Sequence, residues 1–476
     1  MSLKQFGFQG SGLVAKRGFL ALAFLVVARS MGPSAFGDFS YVCTWLLVCS
    51  LLLGLGLAPV TTREIARHPE TAKQILKSGL LIRITLSLLG IAIFNFLFQR
   101  TPVGKPGIGA YAFFASFCLP PLAFADQISA YALGFDAHHQ FAIINGTVWG
   151  LFLLSTGLGV AYGHGLVWVF VFQLLFLWIA AAVCVLRLRK DLAQTAGTST
   201  DWGTSVFLLR ESTPLVITSV LGILSFRIGT FLLYRTAGST QTGLYTSALQ
   251  AVEGFQLIAM AVTGAKFPVI CRVIHDECRI QGLFEKLFLT LTFLSLCLST
   301  TACVVGNRLI VFVFGRSFNS AGHLFAILVW TSVPMFLHYG LTFVLIAANR
   351  QRVFVFETAV YLLVSVAANV VLIHRCGVLG AVYAAILTES TLLVMHLFFV
   401  VARVKLLSVL AWSVFPSLIA AAVLYVGLTW THSINSALAN ICGFCVASVA
   451  TFGAGYWCYW RWSARGASAV ALPAEI

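Results

Sequence analysis

The sequence is short of charge. Asp, Glu, Lys and Arg make up only 9% of its 476 residues, against 59% hydrophobic residues, and the mean hydropathy is +0.95. A soluble domain carries about a quarter of its residues as charges, so that class is excluded. Acids are scarcer than bases, 15 against 30, which leaves a net charge of +15. There is no G-x-x-x-x-G-K-[ST] loop and no H-E-x-x-H pair; a built-in P-loop ATPase and a zinc hydrolase are therefore not expected. Long polar segments are missing too. The longest, Arg187 to Ser205, is rich in Thr, Ser and Gly, too bland for the catalytic loop of a membrane glycosyltransferase or ligase. No basic cluster is interleaved with aromatics, so no nucleic acid partner is expected. The twelve cysteines lie mostly in apolar runs, as Cys43, Cys49, Cys297 and Cys303 do, and read as small core residues. The single C-x-x-C, Cys442 and Cys445, lacks a second ligand pair. No metal or cofactor is expected.

What the chain has in abundance is apolar runs of about 20 residues, the length that spans a bilayer as a helix. Fourteen are counted, among them 11–30, 38–60, 109–133, 141–161, 212–235, 241–265, 286–306, 322–347, 353–373, 379–401, 409–430 and 436–460. The run 307–315 is set aside as an interfacial piece. The expected class is all-α: a polytopic membrane protein with about 14 transmembrane helices. Lys and Arg gather in alternate loops, as in Arg63, Arg67, Lys73, Lys77 and Arg83, or Arg187, Arg189 and Lys190. Cytoplasmic loops collect such charge, which places both termini in the cytoplasm. The first apolar run ends at Arg29 without a small-residue cleavage site, so it is expected to stay in the protein.

The polar segment divides the chain. Residues 1–186 are read as an N-lobe of six helices, 187–207 as a cytoplasmic linker, 208–401 as a C-lobe of six more, and 402–476 as helices 13 and 14 with a tail. A weak repeat supports duplication: Gly37, Phe39 and Ser40 match Gly243, Tyr245 and Thr246 in kind and spacing, each near the start of a lobe's second helix.

Polar groups at membrane depth carry the chemistry, because hydrocarbon makes them costly unless they face water or a partner. Arg227 lies about 17 residues into helix 7, roughly 25 Å along it. Thr230 and Tyr234 share its stripe at helical spacing. Gln250, Glu253 and Gln256 form a second stripe, continuing from Thr246, in helix 8. His338 lies within helix 10 and Glu389 within helix 12. Three readings of Arg227 remain open on this ground: an anchor that snorkels to the surface, a structural partner of Glu253, or a ligand-binding group.

Several stretches resemble the polysaccharide transporter family, which includes O-antigen flippases of the Wzx type, in the multidrug/oligosaccharidyl-lipid/polysaccharide exporter superfamily. They are ARSMGPSAFGDFSYV (Ala28 to Val42), GLGLAPVTTREIAR (Gly54 to Arg67), the helix 7–8 region with ESTPLVITSVLGILSFRIGTFLL, TGLYTSALQAVEGF and KFPVI, and the segments FGRSFNSAGHLFAILVW and NVVLIHRCGVLGAVYAAILTE. The resemblance spans about residues 10 to 400. It implies a V-shaped, two-lobed bundle with a cationic cavity and alternating access; the two extra C-terminal helices counted from the apolar runs fall outside the lobes. It implies that Arg29, Arg63, Arg227, Glu253 and Glu389 are family-like charged residues. Many members carry an acid two positions after the helix-7 arginine, where this chain has Gly229. The function implied is flipping of undecaprenyl-pyrophosphate-linked oligosaccharide across the bacterial inner membrane for O-antigen, capsule or exopolysaccharide synthesis. The implied partners are that lipid-linked substrate, membrane lipids and a downstream polymerase. A cation-coupled multidrug-type exporter of the same superfamily is the alternative.

Overall fold

The computed structural model describes residues 3–54, 56–100, 107–163, 165–187, 202–274, 276–348 and 352–400, with Leu418, Ala421, Ala422 and Tyr425. Most of the expected linker, 188–201, and most of expected helices 13 and 14 lie outside the described residues.

The described chain is helical and contains no strand. Its helices are α1 (Leu3–Gly54), α2 (Leu57–Arg67), α3 (Ala72–Arg100), α4 (Ile108–Ser116), α5 (Leu119–Gly134), α6 (His138–Ala161), α7 (Leu166–Arg187), α8 (Trp202–Val273), α9 (Glu277–Phe314), α10 (Asn319–Leu328), α11 (Ser332–Ala347), α12 (Arg352–Cys376) and α13 (Val378–Val400). The run 307–315, read from sequence as an interfacial piece, instead continues α9 through Phe314. The expected helix at 109–133 is broken at Phe117 and Cys118, just ahead of Pro120 and Pro121 in the first turn of α5. Trp202 to Ser205, read as linker, already belong to α8.

Ten helical stretches among the described residues are long and apolar enough to cross a membrane. Two of them, Ala15–Arg67 and Val216–Phe267, run to 53 and 52 residues. At 1.5 Å per residue each is roughly 80 Å long, far more than a ~30 Å hydrocarbon core needs. Each is turned at a glycine within its longest helix. Gly32 has φ 77 and ψ −179, and Gly238 has φ 79 and ψ −179, a conformation open to glycine and closed to most other residues. The chain turns back at both. Phe24 and Phe39 flank Gly32, and their rings meet at 4.9 Å; in a straight helix they would stand about 22 Å apart. Gly229 and Tyr245 likewise flank Gly238, and a β-carbon on Gly229 would sit 3.2 Å from the Tyr245 hydroxyl. Both long stretches are helical hairpins that supply two crossings each.

The chain divides into two compact units. One comprises residues 1–246 and 358–381, the other 247–357 and 382–476. In the first, α1 packs on α6 and α6 on α7, while α3 and α2 pack on α5. Leu57, Val60, Ile65, Ile75 and Leu76 form one buried cluster there, with Tyr131 and Leu208. In the second, α9 carries α10 and α11. Large apolar side chains such as Leu186, Leu363 and Phe398 are exposed, as lipid-facing positions should be.

The two hairpins of the first unit cross at their glycines. A β-carbon on Gly37 would collide with the Ser239 carbonyl oxygen, and one on Gly243 with the Pro33 carbonyl oxygen. The contact is reciprocal, as a duplicated unit related by a two-fold axis requires. Gly32 and Gly37 have the spacing of Gly238 and Gly243. The short sequence repeat therefore marks a turn and a crossing that occur in both halves.

Candidate functional site

Arg227 stands on the first arm of α8, eleven residues before Gly238 and so roughly 16 Å from the turn. It is half-buried, and its guanidinium carbon lies 5.4 Å from the centre of the Phe226 ring. Thr230, one turn on, is fully buried and its hydroxyl makes no hydrogen bond. Tyr234 is placed otherwise. Its hydroxyl donates to Asp38 Oδ1 at 2.6 Å, and its ring stacks on Tyr41 at 4.0 Å. It belongs to the hairpin crossing, where Ser34 and Ser239 also share a hydrogen bond of 3.0 Å.

The missing acid at Gly229 has a packing reason. A β-carbon there would lie 2.9 Å from Asn369 Oδ1 on α12. Asn369 is buried and fixed by donating to the Ser365 carbonyl at 2.8 Å, and Ser365 in turn donates to the Ser225 carbonyl at 2.6 Å. Helix α12 occupies the space a carboxylate would need.

Arg29 is exposed, three residues before the turn at Gly32. Arg63 is engaged. It donates through Nε to Glu64 at 2.7 Å and through Nη2 to Glu211 at 2.8 Å, tying α2 to the start of α8. Both members of the Arg63–Glu211 pair are about 40% exposed, so water screens it and it contributes under about 1 kcal/mol to stability. Arg63→Ala is therefore expected to leave the thermal midpoint nearly unchanged while lowering transport. Arg63→Glu with Glu211→Arg is expected to recover more transport than Arg63→Glu alone.

In the second unit, Gln250, Glu253 and Gln256 are all half-buried along the second arm of α8. Gln256 donates to the Tyr339 hydroxyl. Thr246, in the first unit, is turned into its own helix, with its hydroxyl donating to the Thr242 carbonyl at 2.7 Å. His338 and Glu389, singled out separately from sequence, are brought together: His338 Nε2 and Glu389 Oε2 are 3.1 Å apart, and both side chains are buried.

Sequence reasoning missed four groups. Arg83, counted among loop charges, lies well inside α3 and is 1% exposed. Its Nη1 donates to Asp126 Oδ2 at 3.2 Å and to the Ala123 carbonyl at 3.4 Å. The loop charges beside it in sequence masked its depth. Asp38 was passed over because it stands beside a turn. Glu357 and His396 were overlooked in their helices, although His396 falls seven residues after Glu389, on one face of α13. Arg83 is buried while Asp126 is about half exposed, so removing Asp126 leaves the buried guanidinium without its counter-charge. Asp126→Ala is expected to lower the thermal midpoint more than Arg83→Met, which removes the buried charge itself.

The sequence matches the family model described as polysaccharide biosynthesis protein over residues 2–274. The chain belongs to the polysaccharide biosynthesis protein family. A comparison with curated proteins finds no match. Among solved structures, this chain is similar to the lipid II flippase MurJ in an inward closed conformation, at 11% identity and a TM-score of 0.71 over 93% of this chain and 98% of that one. It is similar to an inward-facing multidrug resistance MATE transporter of the MOP superfamily at 15% identity and a TM-score of 0.63, over 83% of this chain and 98% of that one. A MOP superfamily transporter from Pyrococcus furiosus matches at 15% identity and a TM-score of 0.57, over 84% of this chain and 94% of that one. At these identities the likeness is one of fold. The chain is thus a multi-pass membrane protein with the fold of MurJ and the MATE transporters.

Proposed function

We propose that the protein is a flippase, not an enzyme, and moves an undecaprenyl-pyrophosphate-linked oligosaccharide across the bacterial inner membrane by alternating access. The product would feed O-antigen, capsule or exopolysaccharide synthesis through a downstream polymerase. The observation that carries the reading is Arg227: a permanent cation, half-exposed, on the first arm of the apolar helix α8 in a chain of this family. The hard part of such a lipid to move is its pyrophosphate. A guanidinium offers several donors in a rigid fork matched to phosphate oxygens, and a wet site replaces the water the headgroup loses. Gln250, Glu253 and Gln256 are the polar groups available for sugar hydroxyls, with Arg29 and Arg63 as further cations.

The lobes 1–186 and 208–401 would rock against each other, with both termini cytoplasmic, while the polyprenyl tail stays in lipid. The drug-exporter alternative calls for an available carboxylate in the N-lobe. The N-lobe carboxylates Asp126, Asp38 and Glu64 are each engaged, by Arg83, Tyr234 and Arg63 respectively, which favours the flippase. Cells lacking the gene should accumulate the lipid-linked oligosaccharide on the inner leaflet. Its normal appearance on the outer leaflet would end the reading.

A further inference from the structure

The second unit contains four ionisable side chains that the flipping of a headgroup leaves without a role. Helix α11 contributes His338, α12 Glu357, and α13 Glu389 and His396. They are 8%, 1%, 6% and 3% exposed. They form two pairs, His338 Nε2 with Glu389 Oε2 at 3.1 Å and His396 Nδ1 with Glu357 Oε1 at 3.6 Å. The imidazole rings stand 5.7 Å apart, and Thr342 lies between them in the network. Its hydroxyl is 3.1 Å from His396 Nε2 and 2.8 Å from the His338 carbonyl oxygen. Glu357 and His396 lie near the end where α11 leads into α12, and His338 and Glu389 lie deeper in their helices.

Hydrogen-bond chemistry limits the protons. His396 Nδ1 is 3.0 Å from the Leu392 carbonyl oxygen, which only accepts, so Nδ1 carries a hydrogen. When the Thr342 hydroxyl donates to the His338 carbonyl, His396 Nε2 must donate to Thr342, and the ring is an imidazolium. When Thr342 turns to donate to Nε2, the ring is neutral. One hydroxyl rotation thus accommodates both protonation states. His338 Nδ1 and both carboxylate oxygens of Glu357 are buried without a hydrogen bond, so sites to receive or release a proton are present in both pairs. One extra proton on each pair makes the four groups neutral together; without them the two carboxylates leave a double negative charge. A neutral cluster is tolerated in an apolar bundle, and a doubly charged one demands water.

We propose that the His338–Glu389 and His396–Glu357 pairs are a proton-binding site that couples transport to the transmembrane proton gradient. Each pair takes one proton from water on one side and returns it on the other. The loaded, neutral cluster packs in the dry arrangement seen here. The unloaded, charged cluster favours an arrangement that admits water. This rests on the transporter reading above. Among the described residues, no group of three or more His, Cys, Asp and Glu is placed to hold a metal ion, so the donor geometry favours a proton. Other titratable groups on the packed elements have separate settings. Tyr339 accepts from Gln256, and Glu285 on α9 accepts from Gln281 at 2.7 Å. Lys286, Arg308 and Tyr383 are exposed, Tyr361 follows Glu357 by one turn, Glu253 precedes Gln256 on α8, and His374 and Arg375 stand at the far end of α12.

Two measurements test this. The first is an infrared pH titration of the purified full-length protein in lipid nanodiscs between about pH 5 and pH 8. A protonated-carboxyl or imidazolium band should grow on acidification and lose intensity in Glu357→Gln and in Glu389→Gln. An unchanged band in both variants would overturn the proposal, whatever the substrate proves to be. The second is flipping in vesicles with and without a pH gradient, where one pH unit shifts the distribution by about tenfold per coupled proton. Wild type should respond through two protons, and Glu357→Gln, which keeps only the His338–Glu389 pair, should respond about tenfold less per pH unit. If Glu357→Gln fails to fold, His396→Asn serves the same comparison. Flipping by wild type that ignores the gradient would overturn the coupling and leave the flippase reading intact. A complete absence of flipping would count against the flippase reading, with the proton site then decided by the infrared band.

Discussion

Arg227→Ala is expected to abolish surface glycan while the protein still inserts and folds. The side chain is half-exposed on the first arm of α8, so its removal opens no large hole in a core. What is lost is the partner of a desolvated phosphate, and truncating one member of such a pair costs roughly 2–5 kcal/mol. Transport should therefore fall by at least about thirtyfold. Arg227→Lys should be intermediate, because an ammonium keeps the charge and loses the fork of donors. Arg227→Glu should be no better than alanine. The measurement is surface polysaccharide per folded protein. If Arg227 were an anchor that snorkels to the membrane surface, all three variants would transport normally.

The second large effect is expected at the hairpin crossing. Gly37→Leu and Gly243→Leu each drive a side chain into a backbone carbonyl of the opposing hairpin, at Ser239 and Pro33 respectively. Overpacking typically costs about 1–3 kcal/mol, and backbone against backbone has no rotamer to yield. Ser34→Cys with Ser239→Cys reports on the crossing, since the native hydroxyl oxygens are 3.0 Å apart. Disulfide formation should fall by about tenfold or more when either leucine is added, because 1.4 kcal/mol is a factor of ten, and transport should fall with it. Gly18→Leu is the control, since its β-carbon meets nothing. Equal cross-linking in all three backgrounds would show that the crossing tolerates separation.

Much of this was legible in the sequence. Lipid demands long apolar helices, so the all-helical membrane class was legible, and the repeat at Gly37 and Gly243 falls where the two hairpins cross. The turns at Gly32 and Gly238 carried a signal too, the same glycine spacing, which is visible once a left-handed residue is sought at each hairpin tip. Buried pairing was less legible. Arg83 reads as a loop charge because Lys73 and Lys77 precede it, and only packing shows that Asp126 meets it. His338 and Glu389 were visible singly, but their pairing depends on how α11 and α13 face each other. Tyr234 shared the stripe of Arg227, yet Asp38 on another hairpin decides its role. Periodicity along one helix says nothing of the partner across the interface.

The central claim is tested most directly with purified protein in sealed vesicles containing an undecaprenyl-pyrophosphate oligosaccharide. A membrane-impermeant reagent that modifies the glycan reports how much of it reaches the outer leaflet. Wild-type protein should expose the pool initially protected inside, and Arg227→Ala should leave that pool protected. Protection that is the same with wild-type protein, with Arg227→Ala and with no protein at all would contradict the account.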